Sequence, residues 1–172
     1  NIYSAISTKL TKPTGTTSQY LDGVGAPTNF PAAGSQAGYG TGTGYNLTTT
    51  YAKIAFATTS PTVTLPSAGT WLLMSNVTLD YVGVTTLSLT ACNFKLRRTN
   101  NTAADVSNSS GTYTTDIVTT RTGNFIQAGI APVFYTTANA DDSISIFGDI
   151  SVVPSVGSLD ATAASIVAIR LY

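Results

Sequence analysis

Three carboxylates stand close together in NADDSISIFGD: Asp141, Asp142 and, seven residues further on, Asp149. Neighbouring carboxylates can hold calcium, and a pair kept roughly 5 to 10 Å apart can hydrolyse a glycosidic bond. Adjacent aspartates ahead of an alternating strand also form ordinary solvated turns, and the ligand spacing of a calcium loop is missing here. The turn is the expected reading; Asp141 or Asp142 is the residue a hydrolase would use. Elsewhere the chemistry is sparse. The absence of histidine removes Ser-His-Asp and Cys-His nucleophiles, histidine metal ligands and the easiest general base near neutral pH. Neither G-x-S-x-G nor S-x-x-K occurs. Cys92 is the single cysteine, so an intrachain disulfide and a four-thiolate metal site are both excluded, and a buried, inert thiol is expected. YGTGTGYN has the glycines of a phosphate loop without the Lys-Ser/Thr that should follow. The expectation is a protein that binds and does not catalyse, with no cofactor and no metal.

Residues suited to binding are few. Trp71 opens a predicted strand, where a core or interface role outweighs a sugar-stacking one. Arg97-Arg98 reads as charge protecting a sheet edge, with a receptor contact as the alternative. Asn46, Asn76, Asn101 and Asn108 each begin an N-x-S/T triplet, which a chain so rich in threonine produces by chance.

The elements that must position these residues are β-strands. Charged residues make up 9% of the chain against about 25% in a typical soluble domain. Net charge is zero and all eight acidic residues are aspartate. Aspartate favours turns over helix interiors, and threonine, the commonest residue, suits a half-buried pleated surface. With no basic cluster there is no footprint for nucleic acid or for an anionic membrane. No apolar run approaches the roughly 20 residues of a membrane span, and none follows the first basic residues as a signal peptide requires. Near-zero charge promotes association, so self-assembly or anchorage in a larger body is expected.

Composition changes near residue 50. Residues 11 to 50 hold most of the glycine, GSQAGYGTGTGYN above all, and read as an extended linker; residues 51 to 172 read as strand and turn. NIYSAIS is either a short strand or a segment that pairs with a partner chain. KIAFAT and Thr62–Leu65 are predicted strands. In WLLMSNVTLDYVGV, Val77, Leu79 and Tyr81 alternate with Asn76, Thr78 and Asp80, the pattern of a sheet with one wet face. Leu87, Leu89 and Ala91 differ in parity from Phe94 and Leu96, which predicts a bulge near Cys92-Asn93. TNNTAADVSNSSG is a predicted polar loop; YTTDIVTT, GNFIQAGIAPVFYT and SISIFGDISVV are predicted strands. In ATAASIVAIRLY, Ile166 and Ala168 take one face and Val167, Ile169 and Leu171 the other. An antiparallel strand that is apolar on both faces needs a cover, and another subunit is the expected one.

Two resemblances rest on these stretches. KPTGTTSQYLDGVG resembles a short segment repeated in bacteriophage tail-fibre and spike proteins, carried here by Gly15, Thr16, Thr17, Gln19, Tyr20, Gly23, Gly25, Phe30 and Pro31. That family commonly has an Arg-Gly-Asp-Gly turn where this chain has Asp22-Gly23-Val24-Gly25, so no charged contact in the turn carries over. TLPSAGTWLLMSNVTLDY, the aspartate turn before SISIFGDISV, and SIVAIRLY resemble the tumour-necrosis-factor-like, complement-like trimeric jelly roll.

Together they imply an all-β antiparallel jelly-roll head (51–172) behind an extended Gly/Thr-rich attachment segment (1–50). The implied protein is a homotrimeric spike or fibre at the virion surface that binds a host-surface receptor, a glycan among the candidates. A structural collar or capsid decoration is the alternative. In the resembled fold the last strand lies near the threefold axis, which makes Ile166, Val167, Ile169, Leu171 and Tyr172 trimer-interface candidates. Gly15, Thr16, Gln19, Tyr20 and Phe30 are assigned to docking on other virion proteins. Asn100, Asn101, Asp105, Asn108 and Tyr113 are the receptor-binding candidates.

Overall fold

The computed structural model describes residues 19–21, 27–29, 35–57, 59–86, 90–115, 123 and 126–171. They fall in two compact units, Asn1–Ala33 and Gly34–Tyr172. In the first, β1 (Gln19–Leu21) pairs antiparallel with β2 (Pro27–Asn29), Tyr20 opposite Thr28. Gln19 and Tyr20 thus stand on a short hairpin; Gly15, Thr16, Phe30 and the NIYSAIS stretch lie outside the described residues.

The second unit is an antiparallel jelly roll of two sheets. One runs β3 (Ser35–Asn46), β11 (Val156–Arg170), β6 (Gly69–Thr86), β9 (Ile126–Thr137). The other runs β4 (Ala52–Lys53), β10 (Asp142–Ile150), β7 (Ala91–Arg98), β8 (Ala104–Thr114), with β5 (Thr62–Leu65) also paired to β10. Alternation of apolar and polar residues builds the core between them. Leu73, Val77, Leu79 and Tyr81 from β6, Cys92, Phe94 and Leu96 from β7, and Ile144, Ile146 and Ile150 from β10 form one core with Trp71. Each large apolar side chain so buried contributes about 1.5 to 3 kcal/mol. Among the described residues no helix occurs.

The Gly-rich stretch expected to be a linker is β3, so the head begins at Gly34 and not at residue 51. Glycine is there because a neighbouring chain segment crosses at backbone distance. A Cβ on Gly38 would lie 2.1 Å from the Thr62 carbonyl oxygen, and one on Gly40 would lie 2.6 Å from the Phe56 ring. Gly38→Ala is therefore expected to cost about 1 to 3 kcal/mol, the range for overpacking, read as a lowered denaturant midpoint. An unchanged midpoint would show that β3 is not seated on that segment.

Three further expectations are corrected. KIAFAT is strand only over Ala52–Lys53, although Ile54 and Phe56 are buried. TNNTAADVSNSSG is mostly β8, not a loop. The bulge is absent from Cys92-Asn93, where β7 pairs with β10 in unbroken register. It lies in β8: Lys95 faces Ser110 and Arg97 faces Asp105, leaving residues 106–109 opposite Leu96 alone. The buried Ser109 hydroxyl fills the broken ladder, accepting from Leu96 N and donating to the Val106 carbonyl (3.1 and 2.7 Å). Leu87 and Leu89 lie outside the described residues.

Candidate functional site

The β8 bulge shapes the outer face of the β4–β10–β7–β8 sheet. β7 turns Cys92, Phe94 and Leu96 inward, so Asn93, Lys95 and Arg97 must point outward. β10 adds Phe147 and Asp149, Lys53 stands opposite Phe147, and β8 adds Asp105. Of the eleven charged side chains described in this charge-poor unit, five (Lys53, Lys95, Arg97, Asp105, Asp149) gather on this one face. Asp105 joins Arg97 at 3.0 Å and Lys95 at 3.5 Å. Asn93 donates to Asp149 at 2.8 Å and accepts from Thr112 at 3.2 Å. The Arg97 guanidinium sits 5.6 Å from the Phe147 ring centre and the Lys95 ammonium 6.0 Å from that of Tyr51. These half-exposed pairs contribute little stability, about 0 to 1 kcal/mol each. What they do is orient polar groups around a groove of about 470 Å³ lined by Tyr51, Asn93, Lys95, Arg97, Asp105 and Asp149. Burial first, then the Asp105 carboxylate, push the Tyr51 phenol up to about 12. The Tyr51 Oη is buried beside the Asp105 carboxylate.

A second polar cluster closes one end of the sandwich. Asp142 is fully buried and accepts from Tyr135 Oη (2.8 Å), Asn101 Nδ2 (2.9 Å) and Thr137 Oγ1, with Arg98 at 3.5 Å. Burial pushes its carboxyl up, but the hydrogen bonds from Thr137, Asn101 and Tyr135 and the Arg98 charge outweigh this and hold it below the ordinary value. Asp141 is exposed at the turn, with φ of 62°. Asp149 lies seven residues along the strand from Asp142, about 23 Å at strand rise, too far for a carboxylate pair. Among the described residues no group of three metal-ligating side chains occurs.

The outer face of the other sheet is apolar at the same end. Ile169, Leu72 and Phe134 form one cross-strand row, and Val167 and Met74 form the next. Phe134 is 69% exposed, Tyr39 62%, Leu171 43% and Ile169 36%. The two apolar faces expected of the last strand are therefore present. Ile166, however, is fully buried in the core and is unavailable to a partner; Val167, Ile169 and Leu171 are on the outer side, and Tyr172 lies outside the described residues.

The receptor-binding candidates separate. Asp105 and the exposed Asn108 come together on β8, beside Lys95. Asn100 bonds the Asp141 carbonyl (2.6 Å) and the Ser143 amide (2.7 Å), and Asn101 is spent on Asp142, so both act as turn braces. Tyr113 is half-buried against the core. Trp71 is fully buried, and Cys92 is buried with its thiol pushed up to about 12 by desolvation and then Asp149. Tyr51, Asn93, Lys95 and Asp149 are absent from the sequence-based binding candidates; the outward alternation of NFKLRR is the signal that could have found Asn93 and Lys95.

The fold has solved counterparts. The globular domain of zebrafish complement 1qA superposes with a TM-score of 0.51 at 8% identity, covering 81% of this chain and 98% of that one. A chain in a structure of infectious bursal disease virus, Gx strain, aligns with a TM-score of 0.41 at 11% identity, over 88% of this chain and 37% of that chain. No protein-family model and no curated protein matches the chain. The zebrafish domain shares the complement-type jelly-roll fold, and the likeness extends to fold alone.

Proposed function

We propose that the chain is a homotrimeric attachment protein of a bacteriophage virion. Its N-terminal unit docks on other virion proteins, and its head presents a polar sheet face to a host-surface receptor. The observation that carries this reading is the opposite character of the two outer sheet faces. The apolar one, with Ile169, Leu171, Phe134 and Tyr39 in water, suits burial against like copies. The resembled jelly roll places its last strand near the threefold axis, and here the last strand, β11, belongs to the sheet that carries that face. The polar one stays free to meet a ligand, and three copies of a weak site gain avidity through effective concentration. Binding is favoured over catalysis in this reading because the Asp142 carboxylate, one of the two a hydrolase would use, is occupied by its own donors. The purified chain, added to host cells before the virus, is expected to block adsorption. Undiminished adsorption at saturating protein would contradict the attachment role and favour a structural one.

A further inference from the structure

We infer that the groove on the outer face of the β4–β10–β7–β8 sheet is a binding site for a neutral saccharide. The inference gives the attachment reading its ligand class and rests on that reading for its biological meaning. The groove's volume of about 470 Å³ lies within the roughly 300 to 1,000 Å³ of small-molecule sites. Its lining carries two cations, Lys95 and Arg97, and two carboxylates, Asp105 and Asp149. Those charges cancel. An anion entering the groove meets both carboxylates, and a cation meets Lys95 and Arg97, so neither gains from the field. A sugar hydroxyl both donates and accepts, and so can use both signs at once.

The groups are already in place. Asn93 holds Asp149 through one of its oxygens and is itself held by Thr112. A carboxylate has about four acceptor positions, so Asp149 keeps capacity for vicinal hydroxyls. The Lys95 ammonium makes one long contact, 3.5 Å to Asp105, and retains donors. Tyr51 lines the groove with its phenol oxygen buried beside Asp105, so it serves as wall and not as a ligand contact. The Tyr51 and Phe147 rings fix the two cations from one side, which limits the ordering that binding must impose.

The test uses the full chain on an immobilised panel of neutral oligosaccharides (glucose, galactose, mannose and N-acetylglucosamine chains) with uronate- and sialate-bearing chains alongside. Wild-type protein is expected to retain at least one neutral chain. Asp149→Ala and Lys95→Met, both on the exposed face, are each expected to weaken it about tenfold or more, and Thr64→Ala, further along the same sheet face, to leave it unchanged. Retention of acidic chains alone, of no chain, or of a neutral chain that neither groove variant weakens overturns the site. Adsorption blocking separates this from the attachment reading. If wild type and Asp149→Ala block host adsorption equally, the groove is not the receptor site and attachment stands. If the neutral chain is bound through the groove while adsorption is untouched, the site stands and attachment fails.

Discussion

Asp142→Ala is expected to lower the free energy of unfolding by about 3 to 5 kcal/mol, the cost of removing one partner from a buried charged pair. The carboxylate is the shared acceptor for Tyr135, Asn101, Thr137 and Arg98. Its loss strands those donors together, and each buried donor left unpaired costs about 1 to 3 kcal/mol. It also removes one of the ties between the β7–β8 turn and β10, that of the Asn101 side chain, while Asn100 keeps its bonds to Asp141 and Ser143. The pH dependence has a definite sign. The folded carboxyl sits below its ordinary value, so this contribution is fully present above the unfolded pKa of about 4. It is lost as pH falls through the lower, folded value. Asp142→Asn keeps the shape and removes the titration, so its acid limb should be shallower than that of wild type. Urea unfolding of wild type and this variant between pH 2 and 7 checks this; parallel acid limbs for wild type and Asp142→Asn would contradict it.

Ile169→Lys is expected to convert the proposed trimer to monomer without unfolding the head. Ile169 is 36% exposed and sits in the row with Leu72 and Phe134, so the isolated subunit tolerates a charge there. Burial of that charge without a partner costs several kcal/mol, and each 1.4 kcal/mol is about tenfold in association. Dissociation should therefore rise by about a hundredfold or more per interface. Val156→Lys is the control. Val156 is more exposed, at 54%, but stands at the other end of the same strand, and its substitution is expected to leave the mass unchanged. If Ile169→Lys associates like wild type, the apolar face is not the interface.

The strands that bury one face are legible because their side chains record it. Val77, Leu79 and Tyr81 in β6 and Ile144, Ile146 and Ile150 in β10 alternate in the sequence as they do in the fold. β3 is illegible for the opposite reason. Glycine carries no side chain to alternate, and Gly38 and Gly40 are dictated by how close Thr62 and Phe56 approach, a tertiary fact. β8 reads as a loop because it is an edge strand rich in serine and threonine, and its bulge is held by one serine hydroxyl. The site is legible only in part. Asp105 is recognisable as a polar residue in an unusual stretch, but its neighbours Tyr51, Lys95 and Asp149 come from three other parts of the chain. Asn100 and Asn101 look free because the turn they brace, at Asp141 and Asp142, lies 41 residues away in sequence.

The most direct test of the central claim is the solution mass of the 172-residue chain by light scattering, across a range of concentrations. A trimer has three times the 17.7 kDa of the single chain, and that mass is the predicted result. A chain that stays monomeric at every concentration would contradict self-association through the β3–β11–β6–β9 face, and the homotrimeric attachment protein with it.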